Sequence, residues 1–118
     1  LFCYSLPIHS NPKDEEDARR CAEQLDVNFE VIDLSNTYDT FIKNLNGENF
    51  IPLTKNNLKV RMRMCTLFAH AQEHSGLVLG TDNWDESYVG YFTKYGDGAA
   101  DLLPIVRLTK AEVREACK

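Results

Sequence analysis

The stretch Gly76-Leu77-Val78-Leu79-Gly80-Thr81-Asp82-Asn83 decides the fold class. Three consecutive apolar residues stand between glycines, with no polar residue alternating among them. A strand with one wet face alternates, whereas a strand covered on both faces reads as a short unbroken apolar run. Both faces are covered when a parallel sheet carries helices on either side, so Leu77–Leu79 points to an α/β domain. Ligands in such open sheets bind just beyond the carboxyl ends of the strands. Gly80-Thr81-Asp82-Asn83 therefore marks where a site belongs.

The flanking sequence continues the same alternation. Upstream, a long helix is expected from about Thr54 to His74, ended by Ser75-Gly76 with glycine at the C′ position. Before it, Asn46-Gly47-Glu48-Asn49 is a turn, and Tyr38, Phe41, Ile42 and Leu45 line one side of a short helix. Val27 to Leu34 reads as a strand with Val27, Phe29 and Val31 on one face. Ahead of that, Asn11 suits an N-cap and Pro12 the first helical position, with Asp14 to Asp17 favourable to the helix dipole. Leu1 to Leu6 reads as the first strand. Downstream come a brief helical stretch from about Asn83 to Val89, a short strand within Leu102 to Leu108, and a final helix. Thr109 and Glu112 open that helix as a capping box. The order β-α-β-α-α-β-loop-β-α predicts one domain over residues 1–118, a parallel sheet with helices on both faces.

Composition agrees with a globular chain: 118 residues, 43% hydrophobic, 10% aromatic and 26% charged. No apolar run approaches the roughly 18–20 residues of a membrane span, and Leu1 to Pro7 does not read as a signal peptide. A net charge of −5 disfavours a nucleic-acid backbone as partner. Cys3, Cys21, Cys65 and Cys117 have irregular gaps and no CxxC, which excludes an ordinary zinc site. They read as free buried thiols suited to a reducing cytoplasm. Both ends read as cut, since the first strand has no polar segment before it and the last helix stops after about two turns.

Several residues are not explained by a plain core. On the long helix, Leu58, Met62, Cys65, Ala69 and Gln72 trace a stripe, with Arg61 and Phe68 on the same side and Arg63 pointing to solvent. Arg61 is either a snorkelling stem or a guanidinium held for a carboxylate or phosphate, and periodicity leaves both open. Thr81 offers a hydroxyl beyond the buried strand, though Thr81 or Asp82 also reads as an N-cap. Glu86 lies about one turn further on. The stretch Gly90-Tyr91-Phe92-Thr93-Lys94-Tyr95-Gly96-Asp97-Gly98-Ala99-Ala100-Asp101 mixes aromatics, glycines and charges without period, as a loop on a polar ligand with flat rings would. Lys110 is a cation at a helix N-terminus, which is explained by solvent or by a phosphate at that place.

At these residues the sequence resembles the ammonia-dependent NAD synthetases of the ATP pyrophosphatase family. The resemblance is carried by Leu6-Pro7-Ile8-His9-Ser10-Asn11, Asn57-Leu58-Lys59-Val60-Arg61-Met62-Arg63-Met64, Leu77-Val78-Leu79-Gly80-Thr81-Asp82-Asn83, the Gly90–Asp101 segment, Leu102-Leu103-Pro104-Ile105 and Leu108-Thr109-Lys110. It implies a truncated Rossmann-like, adenine-nucleotide hydrolase-like fold. Thr81 and Lys110 would meet ATP, and Glu86 magnesium. Arg61, Lys94, Asp97 and Asp101 would contact deamido-NAD. A homodimer with that substrate at the interface is implied too, with the long helix as an interface element. The family's Ser-Gly-Gly-x-Asp-Ser loop does not occur here, nor its C-terminal segment, so this chain alone is expected not to turn over.

The implied reaction joins the nicotinate carboxylate of deamido-NAD to the α-phosphate of ATP, releasing pyrophosphate. Ammonia then attacks the acyl-adenylate, giving NAD and AMP. Two alternatives stand beside it: another ATP pyrophosphatase of the GMP-synthetase kind, and a non-catalytic nucleotide-binding or dimerisation module. Phe92-Thr93-Lys94-Tyr95 argues against the first.

Overall fold

Asn11 opens the first helix in the way its side chain dictates. In the computed structural model, which describes residues 1–118, its Oδ1 accepts the Lys13 N–H at 3.1 Å. Pro12 follows at the first position, where a missing N–H costs nothing.

Leu1–Ile51 forms one compact unit. It holds β1 (Phe2–Ser5), α1 (Pro12–Gln24), β2 (Asn28–Val31) and α2 (Ser35–Asn44). The strands pair in parallel, Phe2 opposite Asn28 and Ser5 opposite Val31, with α1 as the crossover. The pairing runs on past the strands through Ile32 N–H to the Ser5 carbonyl and Leu34 N–H to the Pro7 carbonyl, both 2.9 Å. Leu6, Ile8, Ala22, Leu34 and Tyr38 are buried. On β2, Asn28 and Glu30 are exposed while Phe29 and Val31 are half-buried, the period-two pattern of a strand with one covered face. Leu34 has no capping side chain at the start of α2, and the Asp33 carboxylate takes the Ser35 N–H at 2.8 Å.

Pro52–Lys118 forms the second unit. It contains α3 (Pro52–Glu73), α4 (Trp84–Val89) and α5 (Lys110–Ala116). Trp84 and Tyr88 stack at 4.8 Å on the short α4, one turn apart. No helix is long and apolar enough to cross a membrane.

The expected strands at Leu77–Leu79 and Leu102–Leu108 reduce to one parallel bridge, Leu79 to Leu102. Val78 is buried, but Leu77 is 64% and Leu79 49% exposed, so the run is not covered on both faces. The Val78 N–H is taken by the Asp101 carboxylate instead of a ladder carbonyl. Beyond Leu102 the chain turns at once, with Val106 N–H to the Leu103 carbonyl and Leu108 N–H to the Ile105 carbonyl.

The thiols correct a second expectation. Cys21, Cys65 and Cys117 are exposed and Cys3 is half-buried; all four are free. Helical spacing placed Cys65 and Ala69 on the covered face of α3, and the structure exposes both along with Gln72.

The end of α3 is a third. Its left-handed residue is Ser75 (φ 51°), not Gly76. Ser75 N–H reaches the Gln72 carbonyl at 3.1 Å and Gly76 N–H the Ala71 carbonyl at 2.7 Å, a Schellman pair one residue earlier than expected. Asp26 (φ 50°) ends α1 and Asn46 (φ 51°) ends α2 by the same bond pattern. Asn and Asp tolerate this conformation through their short polar side chains, whereas Ser gains less from it. Ser75→Gly is therefore expected to stabilise the chain by about 0.5–1 kcal/mol in urea unfolding. Ser75→Val should destabilise it, since a β-branched residue is strained at that φ.

Candidate functional site

The start of α4 is fixed by reciprocal capping. Asn83, not Thr81 or Asp82, is the N-cap: its Oδ1 accepts the Glu86 N–H at 3.1 Å, and Glu86 Oε2 accepts the Asn83 N–H at 3.2 Å. Glu86 Oε1 faces the other way, 3.3 Å from the Lys110 ammonium. Asn83 N–H chiefly, with Lys110 beside it, holds the Glu86 carboxyl below the usual carboxylate range. The start of α5 is capped by Thr109 and Glu112 as the sequence predicts. It is tied to α4 twice more, by Lys110 N–H to Asp85 Oδ2 at 2.7 Å and by Trp84 N–H to the Leu108 carbonyl at 2.8 Å.

Between these helix starts lies a recess of about 320 Å³ whose lining includes Thr81, Asp82, Glu86, Asp97, Lys110 and Arg114. Four of the seven sequence-assigned residues thus come together: Thr81, Glu86, Asp97 and Lys110. Asp82 is 8% exposed. Burial raises its pKa above the usual value, and the carboxylates of Asp97 and Glu86 raise it further. Sequence reading missed Asp82 and Arg114 as members of this recess. Arg114 follows Lys110 by four residues on α5, a spacing that could have revealed it.

Arg61, Lys94 and Asp101 do not line the recess. Arg61 Nε donates to the Lys94 carbonyl at 3.0 Å, so α3 grips the loop that bears Lys94. The Lys94 ammonium sits 5.0 Å from the Tyr95 ring centre. Asp97 Oδ1 accepts the Thr93 N–H at 2.7 Å, and Asp101 Oδ2 the Val78 N–H at 2.8 Å. Both carboxylates therefore organise backbone, whatever else they meet. Arg63 is no solvated surface charge. It is half-buried, and burial lowers the pKa of its guanidinium.

The sequence profile of the NAD synthase family matches residues 3–118. The chain belongs to the NAD synthase family. It is 43% identical over 113 residues to the NH(3)-dependent NAD(+) synthetase of Finegoldia magna, covering 96% of this chain and 46% of that protein. The NH(3)-dependent NAD(+) synthetase of Mycoplasmopsis pulmonis is 49% identical over 110 residues, covering 92% and 42%. The chain thus spans about half the length of the curated relatives it matches. Among solved structures, an NMN synthetase from Francisella tularensis superposes with a TM-score of 0.90 at 39% identity, over 95% of this chain and 47% of that one. An NH3-dependent NAD synthetase from Campylobacter jejuni does so with 0.88 at 34%, over 97% and 49%. The α/β class with parallel pairing is shared with these two structures.

The Asp82 carboxyl makes stability depend on pH. A raised native pKa means that the folded state holds the proton more tightly than the unfolded state. Its contribution is present while the group is protonated and is lost as pH rises from the ordinary carboxylate range through the raised value. Asp82→Asn should be more stable than the parent in urea unfolding at about pH 7, with the difference closing towards about pH 3.

Proposed function

We propose that the protein carrying this chain is an ATP-dependent amidating ligase that makes NAD from deamido-NAD and ammonia through an acyl-adenylate. Family membership over residues 3–118 supports it, and the observation that carries it is the recess joining Thr81, Glu86, Asp97 and Lys110. Family membership also favours this reading over a GMP-synthetase-like one. On it, residues 1–118 are part of a single catalytic domain.

Lys110 and Thr81 would meet the phosphates of ATP, the ammonium exchanging Glu86 for an anion. Magnesium usually keeps several waters and takes one or two protein carboxylates together with substrate phosphates. No group of three His, Cys, Asp or Glu side chains in the chain could hold an ion by itself. Glu86 fits as one hard oxygen ligand of an ion shared with the triphosphate. Such an ion, when bound, neutralises charge on the phosphates and pyrophosphate. Arg61 spends Nε on the Lys94 carbonyl, and its terminal nitrogens would take an anionic group of deamido-NAD, which Lys94, Asp97 and Asp101 would also contact. Alignment of the carboxylate and charge neutralisation then supply most of the catalysis.

A homodimer using α3, and a cytoplasmic setting for four free thiols, complete the proposal. Sedimentation of the complete protein tests the dimer. A second reading follows from the Francisella relative, named an NMN synthetase: amidation of the mononucleotide. The complete protein, given ATP, magnesium, ammonia and either nucleotide, separates the two. NAD, AMP and pyrophosphate in equal amounts from deamido-NAD support the first reading, and preferential turnover of the mononucleotide the second. No AMP from either would make the chain a binding module.

Arg61→Lys keeps the charge and loses the planar fork. It should raise KM for deamido-NAD about tenfold, the scale of one charge-assisted hydrogen bond, and move KM for ATP much less. Glu86→Gln preserves the capping box, which accepts Gln at that position. It should lower turnover most at limiting magnesium while leaving Tm nearly unchanged.

A further inference from the structure

Thr93 is the hub of the loop that carries Lys94 and Asp97. Its N–H donates to Asp97 Oδ1 at 2.7 Å, and its carbonyl accepts from Gly96 N–H at 2.9 Å and Gly98 N–H at 3.4 Å. Its hydroxyl donates to Asn57 Oδ1 at 2.9 Å, across 36 residues of sequence. Asn57, Val60 and Arg61 lie on one face of α3 and all meet this loop. A Cβ on Gly96 would stand 2.7 Å from Val60 Cγ1, so glycine is required for that approach. Arg61 adds its bond to the Lys94 carbonyl.

These three contacts are not equivalent. Arg61 is also assigned to the substrate, so a change there would alter the loop contact and the ligand contact together. Val60 supplies contact without direction. The bond between Asn57 and Thr93 is directional and half-buried on both sides, and neither residue is given a ligand in the proposed function.

We propose that Asn57 is a positioning residue: its amide oxygen, receiving the Thr93 hydroxyl, fixes the loop on α3 and so sets Lys94 and Asp97 for deamido-NAD. This rests on the proposed function for the role of Lys94 and Asp97. Asn57 touches no substrate group in this scheme; it acts through Thr93.

The test uses the complete protein with Asn57→Ala, Thr93→Val and the double variant, reading KM for deamido-NAD and for ATP separately. Each single change should raise KM for deamido-NAD about five- to tenfold. KM for ATP should stay within about twofold, and the double variant should be no worse than the worse single one. Asn57→Asp keeps the acceptor and Thr93→Ser the donor, and both should restore most of the loss. Hydrogen exchange at the 93–98 amides should show protection lost in Asn57→Ala and kept in Asn57→Asp.

Equal rises in both constants, additive single effects or unchanged exchange would overturn the proposal. Lys94→Ala tests the underlying reading on its own. If it raises KM for deamido-NAD while Asn57→Ala does not, the positioning role fails and the function stands. If it leaves that constant unchanged, the substrate assignment fails, and the exchange result alone decides whether Asn57 orders the loop.

Discussion

The Val78 N–H donates to the Asp101 carboxylate at 2.8 Å, and this kind of bond recurs throughout residues 52–118. Asp97 takes the Thr93 N–H, Glu86 the Asn83 N–H, Asp85 the Lys110 N–H and Glu112 the Thr109 N–H. Buried or half-buried amides must find acceptors, and each helix start leaves several without an intrahelical partner. Here α4 and α5 have six and seven residues and the strand pairing is one bridge, so regular structure supplies few acceptors. Carboxylates fill the deficit. A charged acceptor makes a stronger bond than a neutral one, which lets short elements hold a defined geometry.

Fixing the acids in this way divides the labour in the recess. Glu86 and Asp97 are pinned through backbone amides and cannot swing far. Lys110 and Arg114 are exposed on α5 and can be redirected towards an incoming anion. Asp82 stands apart, buried beside two pinned carboxylates, and its proton affinity rises for that reason. The acids Glu86 and Asp97 are thus tied to backbone while the two cations of the recess stand exposed.

Local signals were legible in the sequence wherever a single residue satisfies a single backbone group. Asn11 with Pro12 and Thr109 with Glu112 both follow from such pairings. Four of seven site residues also proved to be neighbours. What could not be read depends on partners far away in sequence. Leu77–Leu79 has the composition of a doubly covered strand, yet only Val78 is buried, and its N–H goes to the Asp101 side chain, 23 residues away. The phase of α3 is hidden for a related reason. Residues 57–64 are all half-buried, so apolar spacing alone could not say which line faces the loop. Helical spacing puts Arg63 in water, whereas the structure half-buries it.

Glu86 shows how one side chain can serve both structure and chemistry without conflict. Its two oxygens are already separated in use: Oε2 belongs to the Asn83 N–H, and Oε1 faces Lys110. The first bond holds the start of α4, and losing it would expose an uncapped helix end. The second is an ion pair at 3.3 Å whose lysine is 56% exposed, and such pairs contribute little to stability in water. On the proposed function, a hydrated cation at Oε1 and a phosphate at the ammonium would leave the cap intact and sacrifice only the weaker contact. The capping box orients the carboxylate in advance, so the oxygen turned to the recess needs no reorganisation when a ligand arrives.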